Sequence, residues 1–219
     1  MKLVYSLAFV VLAMTSSPAL AQEPSGNNPP LRRYIAAFGG VADIGSETTP
    51  TFAGEFGESL TQNAQAYATF SYFDNVMTDQ MRDNLIAAAD YVEQITGVQR
   101  TFSGRDRGLA LTAGGKYVFG TSVRPYVGAG AGGIEISRTI TEATLGDVSQ
   151  AFATRPGLGD GVVNAGSTKE MKPLAEVVAG VGFVTSKAYI DIGYRYRRAF
   201  HSATTVQLSQ VSVGIGAKW

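Results

Sequence analysis

Gln210-Val211-Ser212-Val213-Gly214-Ile215-Gly216-Ala217-Lys218-Trp219 closes the chain in unbroken alternation. Val211, Val213, Ile215, Ala217 and Trp219 fall on one face; Gln210, Ser212, Gly214, Gly216 and Lys218 fall on the other. Side chains of an extended strand point alternately to its two sides, so a period of two predicts a strand whose faces meet different surroundings.

The same period recurs upstream. Segments near 32–44, 51–60, 63–75, 107–119, 123–137, 173–185 and 188–200 read as strands, which with 207–219 makes eight. In the seventh, Ile190, Ile192, Tyr194 and Tyr196 oppose Asp191, Gly193, Arg195 and Arg197. In the fourth, Leu109, Leu111, Ala113, Tyr117 and Phe119 oppose Thr112, Gly114 and Lys116. The fifth is so rich in Gly and Ala that its faces stay unassigned. Each segment reaches or nearly reaches the roughly 9–11 residues that a tilted strand needs to cross a bilayer.

Alternation alone also suits a soluble barrel with its apolar face turned inward. Two features separate the cases. Connections near 60–63, 119–123 and 184–188 are tight, whereas 76–106 and 138–172 are long, with shorter ones near 45–50 and 200–206. An even-stranded membrane barrel with both termini in the periplasm has short periplasmic turns and longer outer loops in that order. Drawn on this topology, Tyr34, Tyr117, Phe119, Phe183 and Trp219 gather near the rim that carries the termini. Phe52, Phe70, Tyr72, Tyr194 and Tyr196 gather near the other. Two aromatic girdles are what membrane–water interfaces select.

The start of the chain points to export. Lys2, an apolar run from Leu3 to Met14 and the closing Ala19-Leu20-Ala21 form a signal peptide over 1–21, with cleavage expected after Ala21. Residues 22–30 are rich in Pro, Gly and Asn and read as a flexible periplasmic lead-in, which leaves 31–219 as one barrel domain. The 18 basic and 18 acidic residues balance, so no steering toward nucleic acid is implied. There is no cysteine, so an exported chain of this size draws its stability from core packing or sheet closure. The 26 glycines are scattered and exclude a collagen-like repeat.

The tail Ser212-Val213-Gly214-Ile215-Gly216-Ala217-Lys218-Trp219 resembles the C-terminal assembly signal of outer-membrane proteins, carried by Ser212, Gly214 and Trp219. With the strand pattern, the chain from Arg32 to Trp219 resembles the small eight-stranded outer-membrane β-barrels, a group that includes the transmembrane domain of outer-membrane protein A. That protein's peptidoglycan-binding domain has no counterpart in the sequence. The fold expected is all-β: an eight-stranded antiparallel up-and-down transmembrane barrel with one amphipathic helix in an outer loop. The resemblance implies residence in the bacterial outer membrane, contact with its lipid and lipopolysaccharide, and insertion by the barrel-assembly machinery. The group includes adhesins, structural proteins, narrow channels and a few lipid-modifying enzymes. Closure leaves no free edge, so a monomer is expected.

Candidate chemistry is sparse. Glu55, Lys116, Glu176, Asp191 and Arg195 fall on the inward face, and an eight-stranded interior is just wide enough for side chains to fill. Buried charges must pair, so a Glu55–Arg195–Glu176 cluster above a Lys116–Asp191 pair is expected to plug the lumen. Gly128-Ala129-Gly130-Ala131-Gly132-Gly133 matches a dinucleotide-binding pattern only formally, because Ile134-Glu135-Ile136 continues as strand where that site needs a helix. The glycines suit sharp coiling of a narrow sheet or close approach of neighbouring side chains.

His201 and Ser202 stand side by side near an outer loop tip, where adjacent residues point apart. A nucleophile also needs a base with a third group to orient it; Asp43 and Glu47 are the nearby acids. The His-x-Ser spacing of barrel-type lipid A deacylases is not met. No cofactor is expected, and a single histidine without cysteine argues against a transition-metal site.

Within the third connection, Met81, Leu85, Ala88, Ala89, Val92, Ile95 and Thr96 form a helical stripe, with Thr78 placed to cap it and Gly97 to end it. Such a helix could cover the barrel mouth, lie on the outer leaflet or dock a partner. The long loop 137–172 carries Asp147, Asp160 and Asn164 without a calcium-site spacing. The function expected is therefore non-enzymatic, with surface loops serving a structural, adhesive or ligand-contact role. A narrow channel or small-solute transporter is the alternative.

Overall fold

The computed structural model describes residues 33–120, 122–148, 169–185, 188–200 and 205–219. The signal peptide, the lead-in, Asp160, Asn164, His201 and Ser202 lie outside the described residues. The strands are β1 (Arg33–Ile44), β2 (Glu47–Ser59), β3 (Ala64–Phe73), β4 (Phe102–Val118), β5 (Val123–Glu142), the two-residue β6 (Gly146–Asp147), β7 (Lys169–Val184), β8 (Ala188–Ala199) and β9 (Val206–Lys218); one helix, α1 (Asp79–Thr96), lies between β3 and β4. Every strand pairs antiparallel with its chain neighbour, β7 following β5 in the wall while β6 folds back on β5. The ladder between β1 and β9, from Tyr34↔Lys218 to Asp43↔Ser209, closes eight strands into an up-and-down barrel.

Both ends of the described chain and the short connections 60–63, 119–122 and 185–187 share one end, called here the terminal end. The connections 74–101 and 143–168 leave from the other, distal end. Outward positions carry exposed apolar side chains all round the wall, among them Ile35, Val41, Val127, Val177, Ile192, Val213 and Ile215. Such a continuous apolar outside has no place in water and is what a lipid-facing barrel requires. No helix among the described residues is long and apolar enough to cross a membrane.

Several strand ends differ from the sequence expectation. β2 begins at Glu47, not near Thr51, because Gly45 takes a left-handed conformation (φ 62°) and turns the chain within two residues. Pro50 is tolerated inside β2 because its carbonyl accepts from Asp74 N–H just beyond the last paired residue of β3, at 3.4 Å. Its nitrogen points the same way, so no bond to β1 is lost. β4 and β5 also run past the rim, paired from Phe102↔Glu142 to Val118↔Tyr126, whereas β3 ends at Phe73↔Gly108. The stretch reads as a polar loop because charged and hydroxyl side chains occupy both faces of the ribbon; Asp106 and Arg138 turn inward and bond each other at 2.8 and 2.9 Å.

α1 forms where its cap predicts. Thr78 Oγ1 accepts from Met81 N–H, and Gly97 in the left-handed region ends the last turn on Glu93 O. Met77, Met81, Leu85 and Ala88 pack on Ile140, with Phe102 and Val148 beside them. The helix start is tied to the β1–β2 turn through Asp79 to Ser46 Oγ (2.6 Å) and Arg82 to Glu47 (2.9 Å). It is thus braced between that turn and the ribbon. The C-terminal part of the expected stripe is not buried: Ile95 and Thr96 are exposed. The ribbon offers a surface only to the first turns of the helix.

The filled lumen as candidate functional site

The inner face is chemically divided. Toward the distal end Ala42, Ile44, Phe73, Val76, Ala110, Ile134, Ile136, Leu174, Ala199, Val206 and Leu208 form one buried apolar cluster. Val76 reaches it because the chain leaving β3 is stitched to β4, with Val76 N–H on Asp106 O at 2.6 Å and Asn75 Oδ1 accepting from Asp106 N–H.

Toward the terminal end lies a charged layer. Glu55 accepts from Tyr34, Thr69, Lys116 and Arg195. Glu176 accepts from Tyr67 (2.9 Å), Thr112 (3.2 Å), Arg195 (3.5 Å) and Arg197 (2.5 Å). Arg197 also donates to Gln210 and Ser71. Asp191 is held by the hydroxyls of Tyr126 and Tyr189. Lys116 lies over the rings of Tyr126 and Tyr67, at 4.7 and 4.8 Å, where the ring faces favour a cation. All these acids and bases are almost wholly removed from water.

The inner rings fit because glycines on neighbouring strands leave room for them. A Cβ on Gly57 would strike the Tyr34 ring, one on Gly214 the Phe38 ring and one on Gly182 the Tyr189 ring. Gly130 and Gly180 lie under the hydroxyls of Tyr67 and Tyr126. Local sequence does not announce this socket pattern; its trace at Gly57, Gly214 and Gly180 is an inward Gly across the ladder from the inward aromatic.

The structure gathers Glu55, Lys116, Glu176, Asp191 and Arg195 into one layer, with a pairing that departs from the expected one. Lys116 bonds Glu55 and not Asp191, and two tyrosines take the place of the missing cation at Asp191. Tyr34 is a second correction: it is buried inside the barrel and not part of a girdle. β1 is apolar on both faces, so its phase is fixed by the Tyr34 hydroxyl reaching Glu55 and by the space over Gly57.

Phe52, Phe70, Tyr117, Phe119, Phe183, Tyr194 and Trp219 are exposed on the outside, and Tyr72 and Tyr196 are half-buried on the outward register. Ser212 and Gly214 face inward and Trp219 outward. Arg197 and Arg124 are also buried on the inner face, beyond the inward charges expected from the sequence. Arg197 was legible two positions beyond Arg195; Arg124 was hidden by the unassigned faces of β5.

Of the acids considered as partners for His201 and Ser202, Asp43 accepts from Thr48 and Glu47 pairs with Arg82. Among the described residues no group of three or more His, Cys, Asp or Glu is placed to hold a metal ion.

No protein-family model and no curated protein sequence matches the chain. Solved structures do. Neisserial surface protein A is similar with a TM-score of 0.53 and 17% identity, over 85% of this chain and 97% of that one. The N-terminal β-barrel domain of Pseudomonas aeruginosa OprF gives a TM-score of 0.49 at 15% identity, over 87% and 98%. Ail, the attachment invasion locus protein of Yersinia pestis, gives 0.48 at 12%, over 85% and 96%. The likeness is one of fold: the chain has the architecture of the small eight-stranded outer-membrane β-barrels.

Proposed function

We propose that this barrel resides in the outer membrane, does not conduct, and acts without catalysis through the surface at its distal end, in a structural, adhesive or ligand-contact role. The observation that carries this reading is the doubly filled lumen. A polar layer whose charges are bonded to one another lies in series with an apolar layer of Phe73, Ile134, Leu208 and their neighbours. An ion would have to break the first and dehydrate in the second.

The proposed orientation puts the termini in the periplasm and the β4–β5 ribbon with α1 outside. Short turns at the terminal end and long connections at the other support it. Surface projections on a rigid scaffold are where contact functions usually sit.

Single-channel recording of the refolded chain from Gln22, and of a variant lacking Thr78–Gly97, tests the reading. Both are expected to be silent, because the apolar layer lies within the wall and does not depend on α1. Steady ion-selective steps from the intact chain would overturn the proposal in favour of a narrow channel. Steps from the deletion variant alone would make α1 a gate.

A further inference from the structure

The charged layer contains three acids, Glu55, Glu176 and Asp191, and three bases, Lys116, Arg195 and Arg197, joined by the bonds given above. Arg124 is a fourth base. It is 5% exposed, lies on the inward register of β5 one step beyond Tyr126 toward the terminal end, and stands across the ladder from Gly182. Arg195 and Arg197 each engage a carboxylate. Arg124 donates to no acceptor among the described residues, and its Nε is sealed from solvent without a partner.

No carboxylate among the described residues is bonded to it: Asp191, in the same row on the far side of Gly182, is held by Tyr126 and Tyr189. The hydroxyls of Tyr34, Tyr126 and Tyr189 are spent on Glu55 and Asp191. None of the described residues on the inward register beyond those acids toward the terminal end is acidic, Gly57, Ser59, Gln65, Val118, Val184, Gly216 and Lys218 among them. Burying a guanidinium with no counter-charge is costly, so the arrangement calls for an anion from outside the wall. The planar fork of Arg suits an oxyanion, which it can grip with two parallel bonds.

We infer that Arg124 is the core of an oxyanion site at the terminal-end mouth of the lumen, taking a phosphate or carboxylate group from the compartment that the termini face. Its occupation neutralises the excess positive charge of the charged layer. Lys218, on the same face of β9 at the same end, adds to the positive sign of that mouth.

The test is thermal unfolding of the refolded chain from Gln22 in sodium phosphate and, separately, sodium acetate, against chloride at equal ionic strength. Arg124→Met, Arg124→Lys and Arg107→Met are run alongside; Arg107 is an exposed cation outside the wall. A ligand that binds only the folded state raises Tm with concentration, by about 5 °C or more at a hundredfold excess over Kd for a chain of this size.

The inference expects that rise in the parent and in Arg107→Met with at least one of the two anions, a smaller rise in Arg124→Lys, and none in Arg124→Met. In chloride, Arg124→Met is expected to melt no lower than the parent, since it removes an unpaired buried charge. An equal response in Arg124→Met, a parent indifferent to both anions, or an Arg124→Met barrel that melts well below the parent in chloride would overturn it.

Discussion

The two halves of the lumen solve one packing problem by opposite means. The distal half is filled as any protein core is filled, by Ile, Leu, Val, Ala and Phe in mutual contact. The terminal half is filled by ions and tyrosines that are buried as completely but tolerated only because each acid is bonded. Loss of an apolar side chain leaves a cavity whose cost depends on how far the neighbours relax. Loss of an ion leaves its partner charged, buried and alone. The halves should therefore respond differently to substitution, although both keep water out.

The largest effect is expected at Arg195, which serves Glu55 and Glu176 together. Arg195→Leu should lower unfolding free energy by about 3–5 kcal/mol, measured by urea titration of the refolded barrel. A loss within error would mean that the charged layer holds nothing together. In the apolar half, Leu208→Ala should cost about 2–5 kcal/mol in the same titration, with the low end indicating collapse of the plug into the gap.

Gly57→Ala probes the socket beneath the Tyr34 ring, and displacement of that ring should cost about 1–3 kcal/mol. The matching change at the exposed Gly54, whose Cβ would meet nothing, should leave the lumen undisturbed. Outside both halves, Thr78→Ala removes the α1 cap and should cost about 1 kcal/mol, seen as faster amide exchange in 79–96 with barrel unfolding unchanged.

The smallest effect is expected at the rim. The Arg105 guanidinium bonded to Asp74 holds that carboxyl below its ordinary 3.8. A depressed carboxylate contributes stability that is present above the ordinary value and lost as pH falls through the lowered one. Acidification below 3.8 should therefore loosen the chain around Asp74, read as amide exchange there.

How much of this was legible varied with how different the two faces of a strand are. β9 and β8 place apolar residues against polar or small ones, and their phase follows directly from the sequence. β1 has Ala, Ile and Gly on both faces, so Tyr34 could be placed only by the partner it reaches across the barrel. Along β5, Gly128, Gly130 and Gly132 erase the contrast on the inward side, which concealed Arg124 and Tyr126.

The inward acids and bases could be collected by alternation, but their pairing could not. Alternation gives the face of Lys116 and Asp191, whereas their relative height depends on the stagger of β4 and β8 around the closed wall. The ribbon was hidden for another reason. Its paired residues Phe102–Arg107 and Ser137–Glu142 are mostly charged, hydroxyl-bearing or glycine, a composition that resembles a loop.

The central claim, that the lumen is dry in one half and self-bonded in the other, can be tested directly because the chain has no cysteine. Ala110→Cys places a thiol in the apolar half, Ser71→Cys places one beside Arg197, and Glu93→Cys places one on the exposed face of α1. Each is treated in the folded barrel with a small membrane-impermeant thiol reagent, then again after unfolding. The account predicts that only Glu93→Cys reacts while the barrel is folded and that all three react once it is unfolded. Labelling of Ala110→Cys in the folded barrel as fast as that of Glu93→Cys would show a water-filled lumen and contradict it.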